Sequence, residues 1–457
     1  MASTLRLAGG LLAAASVAAG SWLPEIVAKD VVVIGGGASG AYAAIRLKED
    51  FKKSIVLVEK ADHLGGHVST YDDPKTGKPF DFGVQTFNDY GPARAFFERM
   101  GVPVDAAPRV ALTSQYADFN SGAAVSFTPP ANEDRVAALG RFLNATAAYE
   151  HYFLPGYWNF PAPNQIPKDL LLPFGEFVEK YQLHAAVNQV FQITGMGTGD
   201  MMKSLTLYVL GAFGQPMIRA FLGQGATFTP TSGRNIALYE AVQTRLGKDV
   251  LLNTVSADGK NTIIVARKLL MAIEPTPANM EPFNLDFVEQ STFAKFKSSS
   301  VHAGIVSHPA LPVGVSVVNT PAAASPANYV ELPKPNFNVR FDYMGGDLFR
   351  VLLVGDDKFD KAKAQDLVRQ NFAKLVQAGT LQPASANPAQ ELQFRAWADH
   401  GAMHMNVPAA ELKSGFIQKL YALQGRRETW WTGGAFSVQF QAILWAFDDI
   451  LLPKLLA

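Results

Sequence analysis

The chain has 457 residues, with 40 Lys plus Arg balanced by 40 Asp plus Glu, and no cysteine. Zero net charge and only 18% charged residues exclude the basic surplus on which nucleic-acid binding rests, and 48% hydrophobic residues exclude disorder. The missing cysteines exclude disulfides, thiolate nucleophiles, iron–sulfur clusters, Cys-ligated zinc and any group tethered through a cysteine sulfur.

The first 28 residues differ from the rest. Arg6 precedes an apolar run at 7–19, then small residues and Trp22-Leu23-Pro24. This is the pattern of a secretory signal peptide, expected at 1–20 with cleavage after Ala19 or Gly20. The run is too short to span a bilayer, and no other stretch reaches the ~20 apolar residues that a spanning helix requires. Secretion is therefore expected. The sequon Asn144-Ala145-Thr146 fits a secreted glycoprotein.

Val31-Val32-Val33-Ile34 reads as a parallel strand buried on both faces. It runs into Gly35-Gly36-Gly37-Ala38-Ser39-Gly40, and a helix is expected over 41–47. Gly35, Gly37 and Gly40 fill the three positions of G-x-G-x-x-G: a tight turn, a close approach to a pyrophosphate, and tight packing of helix on strand. The N–H groups of Ala38, Ser39 and Gly40 then point at the phosphates from the positive end of the helix. A second strand at 54–58 ends in Glu59 and Lys60. Glu59 stands at the spacing from which a carboxylate accepts hydrogen bonds from ribose hydroxyls. An acid there favours FAD or NAD over NADP.

Beyond Glu59, Leu64-Gly65-Gly66-His67 followed by Thr70-Tyr71 resembles the flavin amine oxidase superfamily, in which a second glycine pair follows the ribose-binding acid. With Asp73-Pro74 and Gly77 the resemblance is closest to a fungal secreted branch typified by β-cyclopiazonate dehydrogenase. It implies an α/β fold: a Rossmann-like FAD-binding domain from 29–90, 226–282 and 426–457, interleaved with a mixed-sheet and helical substrate domain from 91–225 and 283–425. It also implies that Gly65 and Gly66 lie against the flavin diphosphate, with His67 as donor where the wider family uses Arg. Gly83, Val84 and Gln85 would line the isoalloxazine ring. Thr231-Ser232-Gly233-Arg234-Asn235 leads into a helix and a strand that would bring the Val255 backbone to the adenine. Thr432-Gly433-Gly434-Ala435-Phe436, before a helix at 439–452, would close over the ribityl chain. The family often has an acid just after this glycine, whereas Gly434 and Ala435 stand here, so contact would rest on backbone amides. The FAD is expected to be noncovalent.

The remaining blocks carry substrate features. Helical patterns are expected at 133–152 and 173–190, and strands at 313–318 and 350–354. By resemblance, one of Trp430 and Trp431 would wall the substrate cage, since strand alternation sends the two rings to opposite faces. His400 and His404 are four apart, but Gly401 and Pro408 argue for a loop or strand. Without a third ligand no metal is expected, and a structural or a substrate-facing role stays open for each. The implied activity is hydride transfer from a lipophilic secondary metabolite or an amine to flavin N5, with O₂ or another acceptor taking the electrons. A double-bond isomerase without net redox and a non-catalytic flavin protein are the alternatives. The oligomeric state is not legible.

Overall fold

A computed structural model describes residues 25–108, 111–253, 262–382 and 391–457. The expected signal peptide and Val255 lie outside the described residues. The strands, numbered in chain order, are β1 (Glu25–Ile34), β2 (Ile55–Glu59), β3 (Thr70–Asp72), β4 (Pro79–Asp81), β5 (Phe87–Asn88), β6 (Val104–Ala106), β7 (Thr113–Ala117), β8 (Thr227–Pro230), β9 (Val250–Leu252), β10 (Thr262–Met271), β11 (Lys297–Ser307), β12 (Val315–Asn319), β13 (Phe337–Gly345), β14 (Leu348–Gly355), β15 (Gln393–Asn406) and β16 (Thr429–Trp431).

Val31, Val32 and Val33 are at most 4% exposed, because β1 is central in a parallel sheet ordered β16-β10-β1-β2-β9. A strand covered on both faces has no use for alternation. The helix Ala38–Ile45 leaves the glycine loop and packs on the helix Gln441–Leu456. There Tyr42 and Trp445 stack at 5.9 Å, and Trp445 Nε1 donates to the Ala38 carbonyl at 3.1 Å. The last helix starts later than its apolar pattern suggests, because Phe440 is still extended.

The second sheet is ordered β15-β11-β14-β13-β12-β7, antiparallel except for β12 with β7. Val317, Phe341, Phe349 and Val351 on one face bury against Val368, Phe372 and Leu375 of the helix Lys361–Gln377. The other face carries Ala303, Ile305 and Leu348 against Phe82, with Phe80 and Tyr71 packed alongside. Farther along that face Phe337 meets Phe191 of the helix His184–Ile193, at 5.5 Å. One face thus rests on its own helix, and the other is held between the β3–β4 hairpin and the helical block. That block departs from its sequence pattern. The expected helix at 173–190 is two, Phe174–Tyr181 and His184–Ile193, because Gln182 adopts φ +53° and ends the first. A small sheet ordered β5-β8-β6 ties the helical stretch to its flanks. Among the described residues no helix is long and apolar enough to cross a membrane.

Candidate cofactor and substrate site

At the carboxyl end of β1 the two glycine motifs lie against each other. A Cβ on Gly40 would sit 1.9 Å from the Gly35 carbonyl oxygen, so only glycine lets the helix start this close to the strand. Gly66 has φ +57°, and a Cβ there would lie 2.9 Å from Gly37 Cα, so the two backbones meet with no side chain between. The Gly65 N–H donates to the Gly36 carbonyl at 3.0 Å. Glu59 is fixed at the end of β2: Oε2 accepts from the Gly36 N–H at 2.6 Å and Oε1 from the Ala61 N–H at 2.8 Å. Lys60 beside it is exposed.

Ser39 is 4% exposed, and its hydroxyl has no partner among the described residues. The amides of a helix's first turn lack intrahelical acceptors. Hydroxyl and amides together present donors to an anionic group, as a dinucleotide diphosphate requires. The residues present therefore fit the expected FAD.

The next expected segment is held at both ends. Val84 donates its N–H to the His67 carbonyl at 3.2 Å, and its own carbonyl accepts from Asn235 Nδ2 at 2.8 Å. Gln85 is exposed, and its Nε2 donates to the Asp81 carbonyl at 2.5 Å. A Cβ on Gly83 would meet the His67 carbonyl oxygen at 2.2 Å and His400 Nε2 at 3.3 Å, which packs three expected residues together.

At the turn after β16, Phe436 is fully buried and stacks on Trp431 at 6.0 Å, so it offers backbone only. An acid from another part of the chain stands beside the Gly434–Ala435 turn. Glu274 follows the end of β10, and its Oε1 accepts from Gln439 Nε2 at 3.1 Å. Burial pushes its carboxyl up to about 7, against the lowering effect of Gln439 and of the Ala435 and Gly434 amides. Its Oε2 is buried without a partner among the described residues. No spacing rule points to Glu274. The one available signal is an acid, Ile273-Glu274-Pro275, within the 226–282 segment expected in the FAD-binding domain.

The histidines converge. β15 is an edge strand, as Gly401 and Pro408 suggested, and it carries both His400 and His404. The His400 ring lies 4.9 Å from that of His67, joining the second glycine loop to the second sheet. His400 Nε2 is buried and partnerless among the described residues. His404 has φ +53°, and its Nε2 fills the space of a Cβ on Gly197, 2.2 Å away. Burial disfavours protonation of all three: His67 is lowered, His400 lies well below the usual histidine range, and His404 is lowered to about 4. Among the described residues no group of three or more His, Cys, Asp or Glu could hold a metal.

Trp431 has no open face for a cage wall, whereas Trp430 keeps part of its surface exposed. Trp431 is 1% exposed in the core, 4.7 Å from Phe293. Trp430 covers Gly425, where a Cβ would lie 3.0 Å from its ring. The turn at Gly425 folds back over β16, its N–H donating to the Thr429 carbonyl at 3.0 Å, and lies against one side of the Trp430 ring.

Comparison with known proteins follows the same lines. Residues 33–100 match the NAD(P)-binding Rossmann-like domain family. The chain is 33% identical to the FAD-dependent oxidoreductase pigF of Monascus ruber, over 94% of this chain and 93% of that protein. It is 31% identical to the β-cyclopiazonate dehydrogenase of Aspergillus flavus, over 97% and 96%. In fold it is similar to a fatty acid isomerase from P. acnes (TM-score 0.68, 16% identity, 93% of this chain and 98% of that one). A putrescine oxidase is also similar (TM-score 0.61, 16% identity, 94% and 99%).

Proposed function

The chain belongs to the family of fungal FAD-dependent oxidoreductases that includes β-cyclopiazonate dehydrogenase, and from that premise we propose that it dehydrogenates a lipophilic secondary metabolite or an amine. The observation that carries this reading is the meeting of both glycine motifs, the partnerless Ser39 hydroxyl and the Gly433–Ala435 turn around one parallel sheet, with a histidine-bearing strand of the second sheet against them. When bound, FAD supplies the two-electron acceptor, and O₂ or another oxidant regenerates it. Ser39 and the amides of 38–40 would hold the diphosphate, Glu59 the ribose, and the turn with Glu274 the ribityl side. His400, neutral and with a free Nε2, accepts a hydrogen bond from a substrate O–H or N–H and orients the neighbouring C–H. In this reading oxidation is coupled to ring closure where the substrate carries a suitable nucleophile.

Anaerobic titration of the yellow protein with candidate metabolites tests this. Bleaching by one of them, with recovery and peroxide on admitting air, supports an oxidase. Product formed with no acceptor consumed replaces it with an isomerase, and flavin that no metabolite reduces points to a non-catalytic role. His400→Gln should lower kcat by about a hundredfold with flavin content unchanged, the scale of a lost acid–base partner; full activity in that variant removes His400 from the mechanism. The leader read at 1–20 makes this a secretory-pathway enzyme. Secreted protein beginning at Gly20 or Ser21 would support that, and intracellular protein retaining Met1 would overturn it.

A further inference from the structure

The second sheet holds a charge that the reading above does not use. Arg340 on β13 has a side chain only 14% exposed, and its guanidinium is ion-paired with Asp342 through Nε alone. Its Nε lies 2.7 Å from Asp342 Oδ2, which leaves the Nη groups without a carboxylate of their own. Arg350 on β14 donates to that same oxygen at 3.1 Å, and the Ser316 hydroxyl occupies Oδ1. One carboxylate is thus shared by two guanidiniums, which leaves a surplus positive charge. Register places Ser316 opposite Asp342 and Asp342 opposite Arg350. Their neighbours Val317, Phe341 and Val351 pack on the helix Lys361–Gln377, so alternation turns the charged group to the other face. On that face β13 meets Phe191 through Phe337, and farther along Gly345 lies against Phe80, where a Cβ would be 3.2 Å from the ring. The arginines sit between these two contacts, on the face of the sheet turned toward the helical block and the β3–β4 hairpin.

A buried guanidinium has five N–H donors to satisfy. An unbalanced cation away from water is costly unless an anion joins it. We propose that Arg340, flanked by Arg350, recognises an anionic oxygen group of the substrate, a carboxylate or enolate, so that the substrate is an acidic lipophile rather than a basic amine. This rests on the reading that the oxidised molecule occupies the space beside this face. Burial disfavours the charge of Arg340, against the pull of Asp342, which adds to the need for a second acceptor.

The test is binding to the FAD-loaded enzyme, read as perturbation of flavin absorbance by decanoate and by decanol. Decanoate should bind at least about tenfold more tightly than decanol, the scale of one charge-assisted hydrogen-bonded pair. Arg340→Gln should abolish that preference while flavin content and decanol affinity stay unchanged. Asp342→Asn, which removes the internal competitor, should tighten decanoate binding. If Arg340→Gln does not fold, Arg340→Lys should keep part of the preference, and it and Asp342→Asn decide the matter. Equal affinities for acid and alcohol, or a preference that survives Arg340→Gln, overturn the proposal; so does decanoate binding unchanged in Asp342→Asn. The readout is separate from turnover. An acid preference with no reducible metabolite sinks the dehydrogenase reading alone, and a reducible amine with no acid preference sinks this one alone.

Discussion

Glu274 is a carboxyl whose surroundings favour its neutral form, and this has a thermodynamic signature. Its folded value, about 7, lies above the ordinary 4.5, so the native state holds a proton that the unfolded chain has released. Between about pH 5 and pH 7 stability therefore falls as pH rises, by at most about 1.4 kcal/mol per unit from this group. Glu274→Gln removes that slope: apoprotein melting curves should show the variant gaining on wild type across the window, and parallel curves would discard the idea. His404 has the opposite sign. Its value of about 4 lies below 6.5, so the native state holds fewer protons and stability is lost as pH falls through that interval. Gly197 tests the same contact sterically. A methyl there would meet His404 Nε2, so Gly197→Ala should cost about 1–3 kcal/mol in wild type and much less alongside His404→Ala. Equal costs in the two backgrounds would show that the ring is not the obstacle. None of these pairings was legible in sequence, because Glu274 with Gln439 and Gly197 with His404 are contacts that only the tertiary fold creates.

The elements were legible in proportion to how local their causes are. The strand, glycine loop, helix and second strand from Val31 to Glu59 follow from an apolar run, three spaced glycines and an acid, all inside one βαβ unit. The motif makes a sharp forecast: Gly40→Ala should yield protein without flavin, measured as the FAD-to-protein absorbance ratio, because the added carbon collides with the Gly35 carbonyl. A stoichiometric flavin content in that variant would refute the packing argument. The single helix expected at 173–190 was misread because nothing in its apolar period announces the left-handed Gln182. Of the two rings read as candidate cage walls, Trp431 is buried against Phe293 and Trp430 is part-exposed. A strand's own period says which side a ring takes, and only the folded turn at Gly425 says what already stands there.

At the scale of the molecule, one parallel sheet is assembled from chain near residues 25–59, 250–271 and 429–431. The charged triad of the second sheet was invisible in the sequence, because register across three strands brings Ser316, Asp342 and Arg350 together. FAD should stabilise the whole assembly: at a hundred times its Kd the gain is about 2.7 kcal/mol, seen as a melting temperature that climbs with added FAD. A melting temperature insensitive to FAD would mean that the cofactor binds folded and unfolded chain alike. The strand order β16-β10-β1-β2-β9 also has a consequence for biosynthesis. β10 keeps an open edge, and the helix Ala38–Ile45 lacks its partner helix, until Thr429 and the residues after it have left the ribosome. An exposed edge and an uncovered apolar helix invite wrong partners during synthesis. The strand edge and the helix face that the folded enzyme hides thus stay uncovered until the final segment of the chain has been made.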